Sequence, residues 1–168
     1  MTASGEAVPL RSCLIALGSN LGDRGTFLRQ AVERIRSRVR LVRLSSVWES
    51  PAMDAPTGSP DFLNLLALGA TPLDPLALLR FLQEIERSLG RVRRVRNAPR
   101  TIDLDLIVCG AVLRRERNLT LPHPRFSERE FLLAPFRELG LGWNDPATGR
   151  PFRGVGGRGE ARRIGLLY

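Results

Sequence analysis

Thr101-Ile102-Asp103-Leu104-Asp105-Leu106-Ile107-Val108-Cys109 reads as a strand with two chemically different faces. Side chains alternate across a strand, so Ile102, Leu104 and Leu106 turn to the core while Asp103 and Asp105 share the opposite face. Same-face neighbours stand about 6.5 to 7 Å apart, close enough for two carboxylates to flank a pair of divalent cations about 3.5 to 4 Å apart. Without a cation the pair is unfavourable, because like charges on one sheet face repel and each carboxylate raises the other's proton affinity. The alternation by itself equally describes the wet side of an ordinary antiparallel strand.

The segment immediately before it shifts that balance. Arg91 to Arg100 holds five arginines in ten residues and almost nothing to bury, which predicts an exposed, mobile loop. On its own such a run reads as a solvated charge cluster. Beside two carboxylates that collect Mg²⁺, the guanidinium groups supply the other half of a polyphosphate site, where metal bridges phosphate oxygens and arginine neutralises charge developing in transfer.

Working outward, Ser12–Leu17 predicts a short buried strand ended by the turn residues Gly18-Ser19-Asn20. Phe27, Leu28, Ala31, Val32 and Ile35 recur at helical spacing and predict a helix over about 26–38. A strand is expected over 39–48, a loop over 50–60 punctuated by Pro51, Pro56, Gly58 and Pro60, and a further strand over 62–70. Asp74-Pro75 starts a second helix and Gly90 ends it. Leu119–Pro122 suggests a short strand and Glu128–Leu139 a helix, while the last eighteen residues carry little pattern. The order strand, helix, strand, strand, helix, strand is that of an α+β, ferredoxin-like βαββαβ antiparallel sheet with helices on one face and a short C-terminal addition. At 168 residues the chain is expected to form one domain, with a core of about 12–140 and peripheral segments at 1–10 and 150–168.

Composition is globular, with 43% apolar and 26% charged residues. No apolar run approaches a membrane span and the first residues do not form a secretory signal, so a cytoplasmic protein is expected. Cys13 and Cys109 sit in apolar stretches and read as free buried thiols. The net charge of +9 comes from 26 basic residues, all arginine, which suits an anionic partner, either nucleic acid or a polyphosphate ligand.

His123, the only histidine, lies in the rigid Leu121-Pro122-His123-Pro124 segment, where it is either structural or a donor to phosphate. Phe62 and Phe131 read by default as core aromatics, though each lies beside polar residues that could frame a pocket.

These residues resemble the 6-hydroxymethyl-7,8-dihydropterin pyrophosphokinase family. The resemblance runs from Leu14 to about Leu139 through Ala16-Leu17-Gly18-Ser19-Asn20-Leu21, Ser50-Pro51, Asp61-Phe62-Leu63-Asn64, Gln83-Glu84-Ile85-Glu86, Gly90-Arg91 and Leu119-Thr120-Leu121-Pro122-His123. Its signature is Arg96-Asn97-Ala98-Pro99-Arg100-Thr101-Ile102-Asp103-Leu104-Asp105-Leu106-Ile107. The chain departs from some relatives at Asn97 and Pro124, where those carry aromatics.

The resemblance implies transfer of the β,γ-pyrophosphoryl group of ATP to the pterin hydroxymethyl oxygen, releasing AMP, in folate biosynthesis. It implies two Mg²⁺ on Asp103 and Asp105, and catalytic roles for Arg91, Arg100 and His123 besides the two carboxylates. ATP contacts fall to Gln83, Arg91, Arg93, Arg100, Leu106, Thr120, His123 and Arg129. Pterin contacts fall to Ser50, Pro51, Met53, Phe62, Asn64 and Phe131, with the two rings sandwiching the heterocycle. Glu86 matches a family position without an assigned role. The expected partners are ATP and the pterin, with no nucleic acid and no membrane, for a monomer.

Two rival readings make different demands. A small basic ferredoxin-like nucleic-acid-binding domain needs exposed aromatics on its central strands, whereas the Thr101–Cys109 strand offers carboxylates that repel a phosphate backbone. A metal-binding regulatory module would sense nucleotide without turning it over.

Overall fold

The computed structural model describes residues 9–92, 98–145 and 148–168. Twelve elements follow one another: β1 (Arg11–Ser19), α1 (Arg24–Ile35), β2 (Arg40–Leu44), β3 (Val47–Ser50), β4 (Phe62–Thr71), α2 (Pro75–Ser88), β5 (Asp103–Cys109), β6 (Arg114–Glu116), β7 (Leu119–Leu121), a 3₁₀ turn (Phe126–Glu128), α3 (Glu130–Leu139) and β8 (Arg162–Gly165). β1 and β4 are the central strands of an antiparallel sheet ordered β5-β1-β4-β3-β8, with β2 also paired to β4. That is the ferredoxin-like arrangement, with β8 added outside β3.

Each helix starts where its sequence allows. The Asp23 carboxylate accepts from Thr26 N at 3.0 Å, and Asp74 accepts from Leu76 N and Ala77 N at 2.9 and 3.0 Å, occupying amide donors that no helical carbonyl can reach. α1 therefore begins two residues before the spacing of its apolar residues predicts. Its buried Leu28, Ala31, Val32 and Ile35 pack with Leu78, Leu82 and Ile85 of α2 against one face of the sheet. α3 covers the opposite face, where Leu132, Leu133, Phe136 and Leu139 meet Leu14, Ala16, Leu66 and Ile107. The helices of the βαββαβ unit thus lie on one face as expected, and the third makes a second layer that the expectation did not include.

The strand expected over 39–48 is two strands. Ser45 interrupts it, because its N–H donates to Leu66 O and its hydroxyl accepts from Leu66 N, both at 2.9 Å. A side-chain oxygen thereby replaces a backbone carbonyl in the ladder, and the chain turns between β2 and β3. The C-terminal segment, weakly patterned in sequence, adds β8 by pairing Trp48 with Arg163 and Glu49 with Arg162. Cys13 and Cys109 are free and buried, and burial pushes the Cys13 thiol up to about 12, consistent with inert core residues.

Candidate active site

On the α3 side of the sheet lies a cleft of about 260 Å³. Its floor is made by small residues and carboxylates together. Ala16 of β1 is paired with Asp105 of β5, and Gly18 with Asp103, so the two acids stand beside side chains too short to cover them. Leu104 and Leu106 between and beyond them are buried in the helix-side core. Gly18 is also a place of close approach: a Cβ there would lie 3.0 Å from Asn64 Oδ1 and 3.4 Å from the Phe62 ring. The turn expected at Gly18 instead begins after Ser19, the last residue of β1.

The acids sit in an unbalanced field. Burial, then the charges of Asp103 and Glu86, push the Asp105 carboxyl well above the usual carboxylate range. Asp103 is paired with Arg91 at 2.5 Å and with Arg100 at 3.1 Å. Two adjacent carboxylates, one of them held against ionisation by neighbouring negative charge, are a hard oxygen donor set to which a divalent cation brings the missing positive charge. Among the described residues no group of three or more His, Cys, Asp or Glu side chains gathers as a ready-made metal cage. A pair of carboxylates is a donor set that suits Mg²⁺, which keeps water and substrate oxygens in its shell and takes only one or two carboxylates.

Arg91 and Arg100 were expected on an exposed loop, and the structure corrects this for both. Arg91 has 12% of its side chain exposed and is paired with the buried Glu86 as well as with Asp103. Glu86, on α2, also accepts from Leu104 N at 2.8 Å, so one buried carboxylate ties α2, Arg91 and β5 together. Arg100 is held by Asn20 and reaches over the Phe62 ring, its guanidinium carbon 5.3 Å from the centroid. Arg93 and Asn97 lie outside the described residues.

The opposite wall carries Phe131, beneath the Arg129 guanidinium at 5.5 Å from the ring centroid. Phe62 and Phe131 are half-buried and line the cleft, and Phe131 also packs against the core beneath α3. Asn64 is buried and donates to Ser50 Oγ at 2.9 Å, orienting its amide at the foot of the cleft, and Pro51 and Met53 close that side. His123 lines the cleft as well, with its backbone N–H donating to Ile107 O at 2.8 Å and its ring Nδ1 buried without a hydrogen-bond partner among the described residues. Burial and the nearby Arg129 and Arg125 push its pKa down to about 4, so the ring is neutral near pH 7. An unpartnered imidazole nitrogen in a cationic cleft can exchange a hydrogen bond with a ligand.

The remaining sequence-derived positions are placed less centrally. Gln83 lies in a neighbouring groove with Glu86, Arg87, Arg91 and Val92, and Thr120 in another that shares His123. Leu106 is buried in the helix-side core rather than lining the cleft. Sequence reasoning missed Arg125, which lines the cleft, and gave no role to Glu86 or Asn20. A buried acid in an otherwise apolar helix stripe was the available signal for Glu86.

The model of the family described as 7,8-dihydro-6-hydroxymethylpterin-pyrophosphokinase (HPPK) matches residues 14–140. The chain belongs to that family. HPPK enzymes transfer a pyrophosphoryl group from ATP to hydroxymethyldihydropterin in folate synthesis, and membership makes this chain a diphosphokinase. It is 44% identical over 130 residues to the 2-amino-4-hydroxy-6-hydroxymethyldihydropteridine pyrophosphokinase of Bacillus subtilis (strain 168), covering 74% of this chain and 75% of that protein. It is 37% identical over 135 residues to the bifunctional protein FolKE of Lactococcus lactis subsp. cremoris, covering 77% of this chain and 38% of that one. In fold it is similar to a crystal structure of Plasmodium falciparum HPPK-DHPS with SDX-DHP, at a TM-score of 0.70 and 12% identity over 88% of this chain and 45% of the other. The nucleic-acid-binding alternative is not favoured by any of these matches. Among the described residues no helix is long and apolar enough to cross a membrane.

Proposed function

We propose that this HPPK carries out transfer of the β,γ-pyrophosphoryl group within this cleft, with the pterin ring between Phe62 and Phe131 and the triphosphate over Asp103 and Asp105. The observation that carries the reading is that an aromatic slot and a carboxylate pair flanked by arginines line one cleft. A flat heterocycle is held by stacking on its faces and by hydrogen bonds at its polar edge, which fall to Asn64, Ser50 and the backbone near Pro51 and Met53.

Asp103 and Asp105 would hold two Mg²⁺, which would supply positive charge to neutralise the triphosphate. Arg91, Arg100 and Arg129 release their intramolecular partners to the triphosphate, Arg93 joins them, and neutral His123 hydrogen-bonds a phosphate oxygen. Gln83 and Thr120 serve the nucleoside end. The pterin hydroxyl oxygen then forms its bond to the β-phosphorus as the bond from that phosphorus to the α-phosphate bridging oxygen breaks. AMP leaves, and the hydroxyl proton passes to solvent. Positioning and charge neutralisation account for this without a dedicated protein base. We also read the protein as a cytoplasmic monomer without a nucleic-acid partner, which sedimentation at the mass of one chain checks.

The test is AMP release from ATP and Mg²⁺ with and without 6-hydroxymethyl-7,8-dihydropterin. Stoichiometric AMP and pterin diphosphate only when the pterin is present is the expected result. AMP release independent of the pterin, or none at all, overturns the reading.

A further inference from the structure

The C-terminal segment lies outside the matched family region of 14–140, yet it touches both walls of the pterin end of the cleft. At one wall Arg158 N donates to Glu128 O at 2.7 Å and Glu130 N donates to Arg158 O at 3.0 Å, a two-bond backbone clip on either side of Arg129. Arg129 is the N-cap residue of α3 and has no capping side chain, so the Arg158 carbonyl occupies one of the amides that helix start leaves open. Gly157 is pressed onto the same junction: a Cβ there would lie 2.8 Å from both Glu130 N and Glu130 Cα. Phe131 is the next residue.

At the other wall Gly159, with φ of +88°, packs beneath Met53, whose sulfur would lie 2.9 Å from a Cβ at that position. Arg162 then pairs with Glu49 at 2.6 Å, next to Ser50. Within six residues, therefore, the segment is fastened to the turn that presents Arg129 and Phe131 and to the loop that presents Met53.

We propose that residues 157–162 are a positioning element that sets the distance between the Met53 loop and the Arg129–Phe131 turn and thereby the fit of the heterocycle. None of residues 157–162 is among the residues that line the cleft. The segment acts through Met53 on one side and the Arg129–Phe131 turn on the other. The inference rests on the reading above that the ring binds between Phe62 and Phe131. Glycine at 157 and 159 follows from it, because any side chain there would push the backbone of one wall or the Met53 side chain of the other.

The test compares equilibrium binding of 6-hydroxymethyl-7,8-dihydropterin and of a non-hydrolysable ATP analogue with Mg²⁺, by calorimetry, in the full chain carrying G159A, G157A or F131A. G159A is expected to weaken pterin binding by about tenfold while nucleotide binding stays within about twofold, since misplacing a binding group by a fraction of an ångström is costly. G157A, at the clip itself, is expected to weaken pterin binding at least as much and nucleotide binding by a smaller factor, because Arg129 shares the junction. F131A is expected to lose pterin affinity whatever the segment does. If F131A weakens pterin binding and both glycine variants bind like wild type, the positioning role is overturned. If F131A itself leaves pterin affinity unchanged, the ring site is wrong and the inference falls with it. Equal loss of both ligands in G159A also overturns it, since general loosening of the fold does not distinguish the two halves of the cleft.

Discussion

Asn20 holds Arg100 by both of its backbone groups: the Asn20 amide oxygen accepts from Arg100 N at 2.8 Å while Asn20 N donates to Arg100 O at 3.2 Å. The same side chain donates to Pro60 O at 3.0 Å. One buried amide thus fastens the end of the arginine-rich segment and the end of the 50–60 loop to the tip of β1. Asn20→Ala keeps the backbone bond but strands Arg100 N and Pro60 O, both only partly shielded from water, and is expected to destabilise the fold by about 1–2 kcal/mol in urea unfolding. Turnover is expected to fall by about tenfold or more, because Arg100 loses its place between Asp103 and Phe62. Wild-type stability and turnover in this variant would show that the staple is unimportant.

Glu86 has two separable duties, and two substitutions divide them. Glu86→Gln keeps an oxygen for Leu104 N–H but loses the charge that draws Arg91 inward. It is expected to cost little stability and to lower turnover, as Arg91 no longer has a fixed starting position. Glu86→Ala also strands the buried Leu104 amide and is expected to be less stable than the glutamine variant by about 1–3 kcal/mol. Equal unfolding midpoints for the two variants would contradict this division.

The neutral His123 predicts a pH dependence of stability. Its pKa is about 4 in the fold against an ordinary value of 6.5, so between these values the unfolded chain binds more protons than the folded one. Stability therefore falls as pH drops from about 6.5 towards 4, by an amount on the order of 3 kcal/mol from this group alone. His123→Asn is expected to flatten that part of the profile in urea titrations at successive pH values. An unchanged slope would show that His123 does not carry it.

The ring walls are expected to act mainly on one substrate. Phe62→Ala should raise the KM for the pterin by about tenfold, from lost stacking and lost apolar contact, and the KM for ATP by a clearly smaller factor, since Arg100 also rests on this ring. A parallel rise in both constants would argue against a ring slot at Phe62.

Much of the fold was legible because local signals agreed with one another. The Asp74-Pro75 start, the apolar spacing of both long helices and the two-faced Thr101–Cys109 strand each had a local physical cause, and each element formed. What escaped depended on contacts distant in sequence. Ser45 breaks a strand by bonding to Leu66, and β8 exists because β3 leaves an edge for it. The half-buried Arg91 and Arg100 escaped for the same reason: an Arg-rich run looks solvated until Glu86 and Asp103 are placed against it. The carboxylate pair and the phenylalanines could be named from the chain, whereas the anchoring roles of Asn20 and Glu86 could not, since each joins segments that only the fold brings together.

Asp105→Ala separates the metal reading from every structural alternative. Burial and neighbouring negative charge hold this carboxylate above its ordinary pKa, so its removal is expected to leave the ligand-free fold as stable as wild type or slightly more stable near pH 7. The decisive measurement is the rate of AMP release with saturating ATP, Mg²⁺ and pterin in Asp105→Ala beside wild type, with thermal unfolding of both. A loss of at least about a hundredfold in turnover, with an unfolding temperature at or above that of wild type, is the predicted result. Full turnover in the variant would contradict it.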